Sequence, residues 1–199
     1  MMRYQLVNID DGFHKGWLEI KFLDHSIKMI PQGIIVFSTD DSDLYLISEG
    51  IYKGQKVFIQ KKYLEEYSEN FENLELKIDI LKKKIYLGKL ESDVILSQPR
   101  RYKNEILVLI PDYPHEKLPS HYTNEKVGGS KFAETWFNLT DNISSIVKTD
   151  EYFHFGKYSN GCITFPYTKQ PQASQWNHIY KTLIKNRVEP GVCATIKLI

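Results

Sequence analysis

A histidine and a cysteine, His154 and Cys162, lie eight positions apart in the chain, with Gly156 and Gly161 between them. A thiol becomes a nucleophile at neutral pH only where a nearby base or a positive environment favours its ionised form. A strand, a tight loop and a return strand would bring such a base beside the thiol, because glycine adopts backbone angles that other residues avoid. The spacing therefore predicts the chemistry of a cysteine acyl-transfer enzyme.

Strand alternation decides which of these side chains share a face. In a strand around His154 and a second strand after Cys162, the histidine, the cysteine and Thr164 would point the same way, towards a common cleft. Four apolar residues would then point to the other face and anchor both strands in the core: Phe153, Phe155, Ile163 and Phe165.

The expected reaction begins when His154 takes the proton of Cys162, giving a thiolate–imidazolium pair. The thiolate attacks an amide or ester carbonyl, and an amine or water resolves the resulting thioester. Backbone N–H groups at Asn160, Gly161 and Cys162 could hold the oxyanion, and one such donor is worth about 3 kcal/mol. Ser159 could orient the imidazole. The alternative interpretation is a small buried thiol beside a hydrogen-bonded strand histidine, and the residues alone favour neither.

Composition limits the functions that the chain can have. It has 199 residues and a net charge of +1, so no nucleic acid partner and no attraction to an anionic membrane surface are expected. Apolar runs such as residues 106–110 are far shorter than the roughly 20 residues that a spanning helix needs, so no membrane span is expected. The two cysteines, Cys162 and Cys193, form no disulfide framework and no metal-binding spacing, so neither metal nor cofactor is expected.

The hydrophobic pattern predicts a mainly β protein with one or two short helices. Turn residues separate short strands in the first half, at residues 4–9, 17–22, 34–37, 44–48 and 56–60. Residues 61–70 and 172–185 have helical spacing, and residues 192–199 form a last strand. The expected division is a β-rich N-terminal region of unknown role at 1–95 and a catalytic domain at 96–199, although one continuous domain is equally compatible with the pattern.

Five residues between positions 154 and 163 resemble the active-site signature of the L,D-transpeptidases, the YkuD-like catalytic domains. That signature has a histidine–glycine element, then serine or threonine, histidine, glycine, cysteine and an apolar residue. His154, Ser159 and the string Gly161, Cys162, Ile163 match it, and the resemblance covers roughly residues 106–199. It implies Cys162 as the nucleophile, His154 as the base and Ser159 as the third catalytic residue.

The resemblance also implies a fold and a substrate. The fold is a β-sandwich-like L,D-transpeptidase catalytic domain, and the substrates are peptidoglycan stem peptides of the bacterial cell wall. Such a domain forms an acyl-enzyme on a tetrapeptide donor and passes it to an amine. The expected activity is therefore that of an L,D-transpeptidase, or of an L,D-carboxypeptidase where water takes the acyl group.

Two residues differ from the family pattern, since Asn160 stands where histidine is usual and Thr164 where arginine or asparagine is usual. The short spacing from His154 to Cys162 is similar to that of shortened relatives, among them cell-wall-targeting toxins. One alternative is therefore a secreted antibacterial effector with the same chemistry. Another is a non-catalytic binding module with a decayed site, and a general cysteine protease is a third.

Three further residues are candidates for substrate binding: His115, Tyr122 and Thr164. His115 follows an apolar strand and two prolines, so it is expected in a rigid loop, where functional residues often lie. Trp136 and Asn138 could also reach the cleft, although packing is the simpler interpretation of both.

The N-terminal segment carries charges and has no apolar stretch typical of a signal peptide. The expectation is synthesis in the bacterial cytoplasm and action in the cell envelope or periplasm after non-classical delivery. A secretion apparatus or an inhibitor protein is then the expected protein partner, beside the peptidoglycan peptide substrate.

Overall fold

The computed structural model describes residues 1–7, 16–68, 73–96, 105–111, 132, 135–141, 151–157, 159, 162–167 and 170–199. Within these residues the chain is mainly β, with sixteen strands in two sheets, one α-helix and one 3-10 turn. The prediction of a mainly β protein is confirmed. Over the same residues, no helix combines the length and the apolar character needed to cross a membrane.

The first sheet is antiparallel and comprises the N-terminal strands. Its strands, in chain order, are β1 (Arg3–Leu6), β2 (Trp17–Phe22), β3 (Ile27–Pro31), β4 (Ile35–Ser38), β5 (Leu44–Ile47), β6 (Lys56–Phe58) and β7 (Leu64–Glu66). Among the described residues their order across the sheet is β3-β2-β6-β5-β4-β1-β7. Five of these strands coincide with predicted ones, whereas β3 and β7 were not predicted.

The helix predicted at residues 61–70 is wrong over its described part. Only Lys61–Tyr63 forms a 3-10 turn, and Leu64–Glu66 is the edge strand β7. Leu64 pairs with Leu6 of β1, so the chain gains ladder hydrogen bonds there that a helix would forgo. Non-local pairing of this kind often overrides local spacing.

The second sheet is formed by the remaining strands. They are β8 (Glu75–Asp79), β9 (Lys84–Leu87), β10 (Leu90–Asp93), β11 (Ile95–Leu96), β12 (Glu105–Leu109), β13 (Phe137–Thr140), β14 (Tyr152–Gly156), β15 (Ile163–Pro166) and β16 (Val192–Leu198). In the described part of the chain they lie in the order β10-β9-β8-β16-β12-β13-β14-β15-β11. Only Val94 separates β10 from β11, so the two outer strands are near neighbours and the sheet curls almost into a closed cylinder.

The α-helix α1 (Gln170–Lys185) packs its apolar side on the second sheet, as its helical spacing predicts. The buried positions recur every three or four residues: Trp176, Ile179, Tyr180, Leu183 and Ile184. The Trp176 ring lies against Phe153 of β14 and Phe165 of β15, with centroids 5.2 Å and 5.9 Å away. The helix thereby covers one face of the strands that carry the candidate site.

The C-terminal end of α1 also contacts the first sheet. Gln5 donates to the carbonyl of Ile184 at 3.3 Å, and Arg187 forms a fully buried ion pair with Glu49 at 2.6 Å. One hydrophobic core contains residues of both sheets. The last strand of the first sheet ends at Glu66, and the first strand of the second sheet begins at Glu75. The strands within residues 75–96 therefore belong to the second sheet. The division of the chain at residue 95 stays a prediction.

Candidate functional site

The strands that flank the loop from His154 to Cys162 are hydrogen-bonded neighbours, but they run parallel. Phe153 pairs with Ile163, His154 with Thr164, and Gly156 with Pro166. The expectation of a return strand is therefore wrong, because a hairpin would make the pair antiparallel. Six residues, 157–162, join the two strands, whereas parallel neighbours usually need a connection of a dozen residues or more.

The core-facing side of this strand pair is as predicted. The four apolar residues of the two strands are buried and belong to the hydrophobic core: Phe153, Phe155, Ile163 and Phe165. The predicted alternation is confirmed for these four residues, since alternation does not depend on whether neighbouring strands are parallel.

The opposite side of the pair carries His154 and Thr164 as direct cross-strand partners. The Nε2 atom of His154 lies 2.9 Å from the hydroxyl oxygen of Thr164, and Nδ1 lies 3.2 Å from the carbonyl oxygen of Phe155. A carbonyl only accepts hydrogen bonds, so in the neutral imidazole Nδ1 carries the proton and donates it to Phe155. Nε2 is then unprotonated and accepts the hydroxyl proton of Thr164.

Burial keeps this imidazole neutral. His154 is 2% exposed, and desolvation lowers the pKa of its imidazole from 6.5 to about 4, although the hydrogen bond to Phe155 opposes the shift. At pH 7 the ring is thus unprotonated at Nε2 and can accept a proton. A resting imidazolium is disfavoured, which differs from the ion pair expected from the sequence.

Two neighbours fix the plane of the ring. Trp136, which directly precedes β13, stacks on His154 with ring centroids 3.9 Å apart and planes 17° apart. Gly156 follows His154 by two positions, and a Cβ placed there would lie 3.2 Å from both Cε1 and Nδ1 of the imidazole. Glycine at this position therefore makes room for the ring, and its role here is steric.

Cys162 lies immediately before β15, two positions ahead of Thr164, and its side chain is 8% exposed. If the alternation of β15 continues by one residue, the thiol lies on the same face as Thr164 and His154. The Ser159 hydroxyl donates to the carbonyl oxygen of Cys162 in a short hydrogen bond. Ser159 thus contacts the backbone of the cysteine, while the hydroxyl on the imidazole belongs to Thr164.

The fully buried side chain of Thr164 contacts the candidate base. Its role in substrate binding stays a prediction. The proposed oxyanion residues Asn160 and Gly161 lie outside the described residues, as do His115 and Tyr122.

The second cysteine is separate from this site. Cys193 of β16 is fully buried, and burial raises the pKa of its thiol to about 12. Both cysteines are free thiols. Over the described residues no group of three or more histidine, cysteine, aspartate or glutamate side chains could hold a metal ion.

The sequence allowed Trp136 to reach the cleft but favoured packing for it, and it assigned Gly156 no steric role beside the base. Gly156 carried a usable signal, because a glycine two positions after a strand histidine lies on the same face as that histidine. The stack of Trp136 on the imidazole had no signal in the sequence, since Trp136 stands 18 positions before His154 and meets it through the pairing of β13 with β14.

The sequence matches no family model, and no curated protein or solved structure matches it. The resemblance to the L,D-transpeptidases therefore depends on the five residues of the motif.

Proposed function

We propose that this protein is a cysteine acyl-transfer enzyme that acts on peptidoglycan stem peptides, with Cys162 as nucleophile and His154 as general base. One observation carries the proposal: the imidazole of His154 has an unprotonated Nε2 on the face of the sheet where Cys162 precedes Thr164 by two positions. Two residues of strand correspond to about 7 Å, so a Cys162 that continues the alternation of β15 would be the diagonal neighbour of the base.

The chemistry follows from these positions. The Sγ of Cys162 attacks the carbonyl carbon of the donor peptide while Nε2 of His154 takes the thiol proton. The C–N bond breaks, the leaving amine receives that proton, and a thioester remains on Sγ. An acceptor amine or a water molecule then attacks the thioester, and the thiol is restored by the proton that the acceptor loses.

The low pKa of His154 favours proton transfer during the attack over a preformed ion pair. A base with a pKa of about 4 is mostly unprotonated at pH 7, which is the form that accepts a proton. Proton transfer from the thiol to so weak a base has little driving force before the attack. It becomes favourable as negative charge moves from the sulfur to the oxygen of the substrate carbonyl. The hydrogen bond from Nδ1 to Phe155 supports the transfer, because it orients the ring and stabilises the imidazolium that forms.

The substrate class comes from the resemblance, and the experiment that tests it is direct. Purified sacculi are incubated with the wild type and with Cys162→Ala, and the muropeptides are identified by mass. A transpeptidase adds dimers joined to the third residue of the donor stem, whereas a carboxypeptidase shortens tetrapeptides by one residue. Wild-type muropeptides identical to those of the variant would contradict the proposal.

A second candidate function is a non-catalytic binding module, and the burial of His154 favours it. A 2% exposed histidine whose two ring nitrogens both have hydrogen-bond partners also fits a purely structural role. In that case Cys162 would form no acyl-enzyme. Incubation with a carbapenem-type β-lactam separates the two functions, because only a base-assisted nucleophile opens the lactam and retains it as a covalent adduct.

A further inference from the structure

We propose that Thr164 is a positioning residue that blocks the base of the resting protein, because its hydroxyl occupies the lone pair of Nε2. Its hydroxyl donates to Nε2 of His154, the atom that must accept the proton of Cys162. The inference depends on the proposed function, because it describes how that site is kept inactive until a substrate binds.

The argument begins with the capacity of Nε2. An unprotonated ring nitrogen has one lone pair in the plane of the imidazole, so it accepts one strong hydrogen bond at a time. At 2.9 Å the Thr164 hydroxyl makes such a bond. The thiol proton can reach Nε2 only after this hydroxyl has turned away.

The surroundings favour the arrangement in which the Thr164 hydroxyl donates to Nε2 of His154. Both partners are almost fully buried, so water does not compete for either of them. Threonine is β-branched and has few allowed χ1 rotamers in a strand. Its methyl group lies 3.6 Å from the Cβ position at Gly156, which leaves its hydroxyl directed to the ring.

Opening needs only a local change. Cys162 lies two positions ahead of Thr164, immediately before β15, and Nε2 stays in place because Trp136 and the Nδ1 hydrogen bond hold the ring. Rotation of the buried Thr164 hydroxyl onto another acceptor, driven by the binding of a substrate, would free the lone pair. His154 would then become available as a base only when a peptide is bound. In the absence of a peptide, the thiol of Cys162 would be protected from oxidation and alkylation.

The test measures the alkylation rate of Cys162 by iodoacetamide at pH 7 in the full-length protein without substrate, by mass mapping of peptides. Thr164→Val keeps the shape of the side chain and removes the hydroxyl, and Thr164→Ser keeps the hydroxyl. We expect the valine variant to react about two- to tenfold faster than the wild type, the factor that corresponds to one net hydrogen bond. The serine variant should react at the wild-type rate.

The buried thiol of Cys193 serves as an internal control, because it reacts only when the fold opens. Each Cys162 rate is therefore divided by the Cys193 rate of the same sample. The inference is overturned if the ratio of the Cys162 rate to the Cys193 rate in Thr164→Val is equal to or lower than the wild-type ratio. A lower ratio would mean that the hydroxyl passes the thiol proton to His154, or that the substitution unfolds the protein and exposes Cys193. A merely structural threonine would also leave the ratio unchanged.

His154→Gln separates this inference from the proposed function. If the glutamine variant slows alkylation of Cys162 while Thr164→Val has no effect, histidine assists the thiol and only the role of Thr164 is wrong. If neither substitution changes the alkylation rate of Cys162, the assignment of His154 as the general base is wrong.

Discussion

Gly156 lies so close to the imidazole of His154 that an added Cβ would fall 3.2 Å from both Cε1 and Nδ1. Contacts this short are tighter than ordinary van der Waals distances, so the ring would have to move by a few tenths of an ångström. The stack with Trp136 limits where the ring can go. The spacing of the histidine and the glycine in the motif thus has a physical reason, which is the fixed position of the base.

Gly156→Ala should therefore slow acylation of Cys162 by about ten- to hundredfold, because small displacements of a catalytic group have large effects on rate. The measurement is the rate at which a carbapenem-type β-lactam adds to the protein. Gly88→Ala is the matched control, since Gly88 has a φ of 57° and nothing within 4 Å of its Cβ position. The control should lose about 1 kcal/mol of stability through backbone strain and acylate at the wild-type rate. Equal acylation by both variants would contradict the steric role of Gly156.

His154 gives the protein a specific dependence on pH. Its pKa is about 4 in the folded state and near 6.5 when unfolded, so the unfolded chain binds a proton first as the pH falls. The stability contributed by the neutral ring is complete above pH 6.5 and is lost between 6.5 and 4, by about 3 kcal/mol in all. Urea unfolding at pH 7 and pH 4.5 should show a smaller loss for His154→Gln than for the wild type.

The control for this pH dependence is His178→Gln, whose histidine is exposed on α1. It should lose as much stability as the wild type over the same interval. If His154→Gln does so too, the native imidazole already binds its proton near pH 6.5, and its burial has no effect on its titration.

The buried ion pair of Glu49 and Arg187 joins the segment after β5 of the first sheet to the segment after α1. Two nitrogens of the guanidinium contact the carboxylate, which also accepts the backbone N–H groups of Ile35 and Gly191. Glu49→Ala should cost about 3–5 kcal/mol in unfolding free energy, because it leaves a buried charge without its partner. Lys82→Ala, which removes the exposed lysine of the pair with Asp79, should change the denaturant midpoint very little. Similar denaturant midpoints for the two variants would show that the ion pair of Glu49 contributes little to the stability of the fold.

The first sheet should be necessary for the second to fold. Gly33 packs so closely on Ile184 of α1 that a Cβ would lie 2.4 Å from its side chain, and Gln32 contacts the hydroxyl of Tyr180. We expect a fragment of residues 73–199 to lack the near-ultraviolet circular dichroism of the full chain, because removal of the first sheet exposes this apolar surface. A fragment with native dichroism and cooperative unfolding would establish the C-terminal part as an independent domain.

Much of this fold is predictable from periodicity. Alternation identified Phe153, Phe155, Ile163 and Phe165 as core residues, and helical spacing placed Trp176 on the buried stripe of α1. Both patterns depend only on which face of an element is buried. Alternation likewise placed His154 and Thr164 on one face, where their side chains are in contact.

The remaining features depend on non-local pairing that alternation does not encode. Parallel and antiparallel neighbours have the same period of two, so the direction of β15 relative to β14 could not be predicted. Leu64 fits a helix by spacing, but pairing with Leu6 placed it in a strand. Trp136 reaches His154 only because β13 lies beside β14. The Glu49–Arg187 pair joins positions 138 residues apart, and neither residue stands in a recognisable motif.

The most direct test of the central claim is the intact mass of the protein after incubation with a carbapenem-type β-lactam. We predict one covalent adduct on the wild type and on Cys193→Ala, because Cys193 is a core thiol whose pKa is raised to about 12. Cys162→Ala should form none. An adduct that persists in Cys162→Ala, or a wild type that forms none, would contradict the assignment of Cys162 as the nucleophile.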